Sequence, residues 1–218
     1  MRTALIFGSS GLIGNHLLDL ILKGDSYQKI KLFVRSNITI KDPRVEIICD
    51  DFKNLDNLKN NIIGDDCFFC IGTTRKDTPN KKEYRRVEYE IPLHIAKITK
   101  LNSINSFIYV SSIGANAKVS NNYLKNKGQV EDELLKLNFK KLGIIRPSLL
   151  LGNRKNFRLG ERIAQLVMKN ISFIFIGKMK KYKPIQAVNV AKAITNIVEN
   201  DYKTKFFESD KLLEISIK

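Results

Sequence analysis

One short stretch holds side chains of the types and spacing that could move a proton. The hydroxyl pair Ser111-Ser112 ends an apolar run, and eleven residues past Ser112 stands Tyr123, four positions before Lys127. Residues four apart on a helix share a face, so a lysine ammonium there can stabilise a phenolate. Such a pair is a general acid/base, and a nearby hydroxyl can orient the reacting oxygen. Spacing alone is weak support, because in a Lys-rich chain with 7 tyrosines about one such pair arises by chance. Tyr27 with Lys31 is indeed a second. Position separates them: Tyr27 falls in a connecting turn, whereas Tyr123 follows a strand that ends in hydroxyls.

A second constellation lies at the start of the chain, where the apolar run Ala4 to Phe7 breaks into Gly8-Ser9-Ser10-Gly11-Leu12-Ile13-Gly14 and an amphipathic stretch. Strand, glycine turn and helix in this order make a seat for a diphosphate. The early glycines let the backbone turn and approach the phosphates, Gly14 lets helix and strand lie close, and the helix N-terminus offers free N–H groups. The next strand ends at Val34-Arg35-Ser36, and Arg35 lies 21 residues beyond Gly14, where a dinucleotide fold inspects the adenosine ribose. A site selective for NAD wants a carboxylate for the 2′-hydroxyl, and none occurs between Asp25 and Asp42. Arg35 is either a solvated strand-end charge or a bidentate partner for a 2′-phosphate, which favours NADP(H) over NAD(H). Asp51, in Cys49-Asp50-Asp51-Phe52, either accepts from an adenine amino group or caps a helix starting near Asn54.

These groups need a frame, and the hydrophobic pattern supplies one. Strand-like runs at 4–7, 30–34, 45–49, 67–71, 107–110 and 142–145 alternate with helical stretches at 12–23, 55–62, 83–101 and 123–137. The expected fold is α/β, a Rossmann-type doubly wound parallel sheet with helices on both faces. After Arg146-Pro147 the pattern becomes helix-like at 157–170, irregular at 171–186 and helical again at 188–199. A tail of this length is expected to fold as a small C-terminal lobe over the carboxyl edge of the sheet. The whole chain, 1–218, reads as a single domain in which 146–218 contributes that substrate-side lobe.

Composition narrows the functional classes. The net charge of +16 invites a nucleic-acid reading. The excess is Lys, however, 28 against 10 Arg, scattered and accompanied by 28 Ile and 20 Asn, as A/T-rich codons would produce, and no aromatic-plus-Arg stacking platform appears. No nucleic-acid partner is expected. Cys67 and Cys70 have redox-dithiol spacing but fall on one strand, where residues i and i+3 point to opposite faces. His16 and His94 lack companions at ligand spacing, so no metal site is expected. No apolar run approaches the roughly 20 residues that span a bilayer. A first strand so close to Met1 leaves no room for a leader ahead of it, which reads as a cytoplasmic protein without membrane contact.

The glycine loop, Arg35, Asp51-Phe52, Gly72-Thr73-Thr74-Arg75, Ser111-Ser112, Tyr123 to Gly128, and Arg146-Pro147 with Leu149-Leu150-Leu151 run along most of the chain. Together they resemble the short-chain dehydrogenase/reductase superfamily, specifically its small atypical extended members of the Tat-interacting protein 30 group. The resemblance implies Tyr123 as catalytic acid/base, Lys127 as the residue that binds the nicotinamide ribose and lowers the tyrosine pKa, and Ser112 as the hydrogen-bond donor to the substrate oxygen. It implies cofactor contacts at Gly8, Ser10, Gly11, Leu12, Ile13, Gly14, Arg35, Ser36, Asp51, Phe52, Ile71, Gly72, Thr73, Leu150 and Arg158 as well as at Tyr123 and Lys127. One position departs from the superfamily pattern: an Asn that helps relay protons is replaced by the acidic segment Val87-Glu88-Tyr89-Glu90. The expected function is NADP-dependent hydride transfer to or from a small-molecule carbonyl or alcohol. The alternative is an NADP(H)-sensing protein with little turnover that acts through a protein partner. Either could be a monomer or a homodimer.

Overall fold

The computed structural model describes residues 2–152 and 176–217. Six strands, β1 (Thr3–Phe7), β2 (Lys29–Val34), β3 (Val45–Cys49), β4 (Asp66–Phe69), β5 (Ser106–Val110) and β6 (Lys141–Arg146), appear where the apolar runs place them, and β9 (Phe206–Glu208) adds a seventh. Their order is β3-β2-β1-β4-β5-β6-β9, with every described pairing parallel. Parallel strands need crossovers and are covered on both faces, which is why they read as continuous apolar runs rather than alternating ones.

The two-residue period of the strands divides their side chains between two cores. Ala4, Ile6 and Phe68 join one core with helices α1 (Leu12–Lys23), α5 (Ala187–Glu199) and α6 (Ser209–Ser216). Leu5, Phe7, Cys67 and Phe69 join the other, with α3 (Ile91–Leu101) and α4 (Asn122–Lys136). Cys67 therefore packs on one side of the sheet and Cys70 on the other, and both are free thiols.

Three regions differ from the pattern reading. Residues 55–62 form only a 3₁₀ turn, Leu55–Leu58, capped by the Asn54 side chain; Asn57, Asn60 and Asn61 are poor helix formers and do not propagate it. The stretch read as 83–101 starts at Lys81, as α2 (Lys81–Arg85), and passes through a π-helical turn, Arg86–Glu90, into α3. In the tail, β7 (Leu150–Leu151) pairs with β8 (Ile185–Gln186) as a small separate sheet beyond the end of β6. This sheet and the 3₁₀ segment Gly177–Tyr182 are the described part of the small C-terminal lobe. The rest of the tail returns to the body, α5 packing on α1 and β9 extending the sheet. The helix read at 157–170 and the residue Arg158 lie outside the described residues. Among those described, no helix is long and apolar enough to cross a membrane.

Candidate active site at the carboxyl edge

The strand order runs outward from β1 through β2 to β3, then restarts with β4 on the other side of β1. In open α/β sheets the crevice at such a switch point, beyond the carboxyl ends of the strands, takes the ligand. Two loops line it here. After β1 comes the glycine loop, and after β4 comes Cys70 to Thr73, joined to the first by the Cys70 N–H donating to Phe7 O at 2.9 Å.

The glycine loop is shaped by contacts no side chain would permit. Gly8 has φ +84°, and a Cβ there would lie 2.8 Å from the Cys70 carbonyl carbon; a Cβ on Gly14 would lie 2.1 Å from Gly8 O. Gly11 caps α1 without a side-chain acceptor, leaving the first-turn N–H groups to a ligand. Ser10 and Gly11 are exposed, Leu12 is half-buried, and Ile13 is buried. Ser9, which sequence reasoning passed over, carries a fully buried hydroxyl with no hydrogen-bond partner. Leu12 lies against Gly152, just after Leu150 on β7, so the small lobe borders the start of α1.

Arg35 and Ser36 follow β2 and are exposed, and Arg35 has no hydrogen bond or ion pair to a described residue. Asp51 is exposed and accepts from Lys53 N at 2.9 Å, while Asn54 caps the 3₁₀ turn, so the capping role foreseen for Asp51 is filled by its neighbour. Phe52 follows Asp51. Its ring is buried, 6.4 Å from that of Phe7, and its backbone has φ +58°, held by Asp50 accepting from Phe52 N and by Arg86 donating to Phe52 O.

At the other end of the crevice the side chains do the work. The Asn121 side chain caps α4, accepting from Tyr123 N at 3.0 Å and Leu124 N at 3.1 Å, which sets Tyr123 in the first turn and Lys127 one turn on. The loop after β5 is tied to the same helix by Asn116 N donating to Leu124 O, and to the end of β6 by Ile113 N donating to Pro147 O. Of the two serines, Ser111 is buried and donates to Glu131, which also binds Arg146. Ser112 remains half-buried, with only a 3.3 Å contact to Ile113 O. Of the two hydroxyls, that of Ser112 is the less engaged.

Lys127 and Tyr123 share a face, with Lys127 Nζ 6.0 Å from the Tyr123 ring centre. The ammonium donates to Val110 O at 3.0 Å and lies 3.1 Å from Glu88 Oε2. The latter is a buried ion pair. The other carboxylate oxygen, Oε1, accepts from Thr73 N at 2.5 Å. Burial alone would lower the Lys127 pKa; the facing Tyr109 and the Glu88 carboxylate outweigh it and hold the ammonium protonated. Gly72 is exposed and Ile71 and Thr73 are half-buried, so the loop after β4 passes directly over this pair.

Glu88 was legible in outline only. Tyr84, Glu88, Ile91 and Ile95 share one helical stripe and are all buried, so an acid at a core-facing position was the available signal. Tyr109, whose buried hydroxyl has no partner, gave none, because it sits inside an apolar strand.

The arrangement fits a dinucleotide. The glycine loop leaves backbone N–H groups free at the start of α1, the exposed Arg35 stands beyond β2, and Ser112, Tyr123 and Lys127 stand beyond β5. Two buried hydroxyls without a hydrogen bond among the described residues, Ser9 Oγ and Tyr109 OH, lie at this edge.

Comparison with known proteins agrees. Residues 8–201 match a family described as NAD(P)H-binding. A protein of Debaryomyces hansenii named FMP52, mitochondrial, is 30% identical over 199 residues, covering 89% of this chain and 87% of its own. HTATIP2 of Rattus norvegicus is 32% identical over 168 residues, covering 75% and 69%. In fold, the Bordetella bronchiseptica enzyme WbmH in complex with NAD+ matches with a TM-score of 0.72 at 14% identity, over 96% of this chain and 76% of that one. The relatives also correct one expectation. A cytoplasmic location does not stand, because several of them carry the word mitochondrial in their names, and a strand close to Met1 specifies no compartment. The chain belongs to the NAD(P)H-binding family and is an atypical short-chain dehydrogenase/reductase of the HTATIP2-like kind.

Proposed function

We propose that the chain is an NADP-dependent oxidoreductase acting on a small carbonyl or alcohol, with Tyr123 as the group that gives or takes the proton. When bound, the dinucleotide supplies or accepts the hydride. The chain's own residues do the rest. Ser112 donates to the substrate oxygen, Tyr123 transfers a proton to or from that oxygen, and Lys127 keeps a positive charge beside the phenol. The observation that carries this reading is the placement of Tyr123 and Lys127 on consecutive turns of α4, with Ser112 held beside that helix by the Asn116 and Ile113 backbone bonds.

The preference for NADP(H) rests on Arg35, exposed and unpaired at the end of β2. A guanidinium there suits a 2′-phosphate and offers nothing specific to a 2′-hydroxyl.

A second reading is a dinucleotide-sensing protein with little turnover that acts through a protein partner. It is favoured by one observation: the Lys127 ammonium is already engaged by Val110 O and Glu88. The test is NADPH oxidation against aldehydes, ketones and quinones, with Tyr123→Phe alongside. An enzyme is expected to lose at least about a hundredfold in turnover while its NADPH affinity stays within about twofold, since the ring still packs. Turnover that survives Tyr123→Phe would overturn the acid/base assignment, and a protein that binds NADPH but oxidises it with no acceptor is the sensor.

A further inference from the structure

Glu88 and Lys127 form a buried ion pair, with side chains 0% and 3% exposed. A Cβ added to the exposed Gly72 would lie 3.5 Å from Glu88 Oε1 and 3.9 Å from Lys127 Nζ. The pair thus lies directly beneath the crevice. Packing does not account for it, because a buried acid-base pair is on average no more stabilising than apolar groups of the same size. Glu88 also sits in the middle of the π-helical turn Arg86–Glu90, a distortion frequent at functional sites. The Lys127 ammonium lies 3.1 Å from Glu88 Oε2 and 4.8 Å from the centre of the Tyr109 ring.

We propose that Glu88 is a positioning residue that makes this corner of the site electrically neutral. Balanced by Glu88, Lys127 holds its place without a net positive charge beside the nicotinamide. The site then accepts the positively charged oxidised ring about as readily as the neutral reduced one. A lone ammonium would repel the oxidised ring, and a lone carboxylate would attract it. One unbalanced charge at such range, in the effective dielectric of a partly buried site, changes the oxidised-to-reduced affinity ratio by roughly threefold to thirtyfold. The inference rests on the crevice being the dinucleotide seat.

The test is calorimetric titration of NADP+ and NADPH into the wild-type protein, Glu88→Gln and Lys127→Met. Glu88→Gln is expected to weaken NADP+ relative to NADPH by at least about threefold. Lys127→Met is expected to move the ratio the opposite way, although losing a ribose contact weakens both forms. Because the ratio cancels any uniform loss, a structural role for Glu88 would lower both affinities together. A ratio that stays at the wild-type value in both single variants overturns the proposal. Should either variant fail to fold with one buried charge unpaired, the other carries the test. The double variant Glu88→Gln/Lys127→Met, again neutral, is expected to keep the wild-type ratio, and a shifted ratio there also overturns the proposal. A wild-type protein that binds neither form overturns the seat itself and this inference with it. One that binds both, with unmoved ratios in the variants, overturns only the role of Glu88.

Discussion

Two buried acid-base clusters stand at opposite ends of the same sheet, and they differ in what lies next to them. At the amino edge, Asp66 opens β4 and both its oxygens are occupied. Oδ2 accepts from Arg2 and from the Tyr27 hydroxyl at 3.0 Å, and Oδ1 accepts from Ser106. At the carboxyl edge, Glu88 has one oxygen held by Thr73 and the other 3.1 Å from the Lys127 ammonium, directly beneath the exposed Gly72. A buried cluster that only links strands ties elements together; one that lies against the switch-point crevice can also act on what enters it. The amino-edge cluster joins β1, β4, β5 and the turn before β2 and is scaffold. The carboxyl-edge cluster belongs to the proposed site.

The contrast is sharpest if the two ends fail in different ways. Asp66→Asn breaks a largely buried carboxylate away from Arg2, whose side chain is 37% exposed. It is expected to cost about 2–3 kcal/mol of stability, below the full penalty for a deeply buried pair because the guanidinium can still reach water. Denaturant unfolding measures this, and the folded fraction should bind NADPH as the wild type does. A loss of cofactor affinity without a loss of stability would break the distinction.

The adjacent serines repeat the contrast on a smaller scale. Ser111→Ala removes a buried donor to Glu131 and is expected to cost about 1–2 kcal/mol of stability with turnover nearly unchanged. Ser112→Ala should leave the melting temperature within about 1 °C and lower kcat/KM about tenfold or more, as expected for one lost hydrogen bond in the transition state. Reversed outcomes would exchange the roles of the two hydroxyls.

Much of this was legible in the sequence, and for physical reasons. Parallel strands buried on both faces have to be apolar throughout, so β1 to β6 announce themselves. A glycine loop that must pack Gly14 against Gly8 O cannot be written with other residues. Tyr123 and Lys127 were found because helical spacing is local. What escaped depends on contacts distant in sequence or on weak local signals. The Glu88–Lys127 pair joins residues from separate helical segments, and the position of Glu88 was noticed only as a departure. β9 is three residues, Phe206-Phe207-Glu208, in a lysine-rich tail, too short for a period to show. At 55–62 the apolar spacing of a helix was present in Leu55, Leu58 and Ile62, but the intervening asparagines overrode it.

The distinction between scaffold and site rests most directly on where NADPH adds stability. Melting curves of the wild type, Asp66→Asn and Arg35→Ala, each with and without NADPH or NADH at about a hundred times the wild-type Kd for NADPH, measure it. Binding at that excess is worth about 2.7 kcal/mol, or roughly 5–10 °C for a chain of this size. The wild type and Asp66→Asn should rise by the same increment with NADPH, although from different starting temperatures. Arg35→Ala should lose about half of it, as a tenfold weaker complex would, and NADH should raise all three alike and less. An NADPH increment that vanishes in Asp66→Asn, or one that survives intact in Arg35→Ala and is matched by NADH, would contradict the assignment.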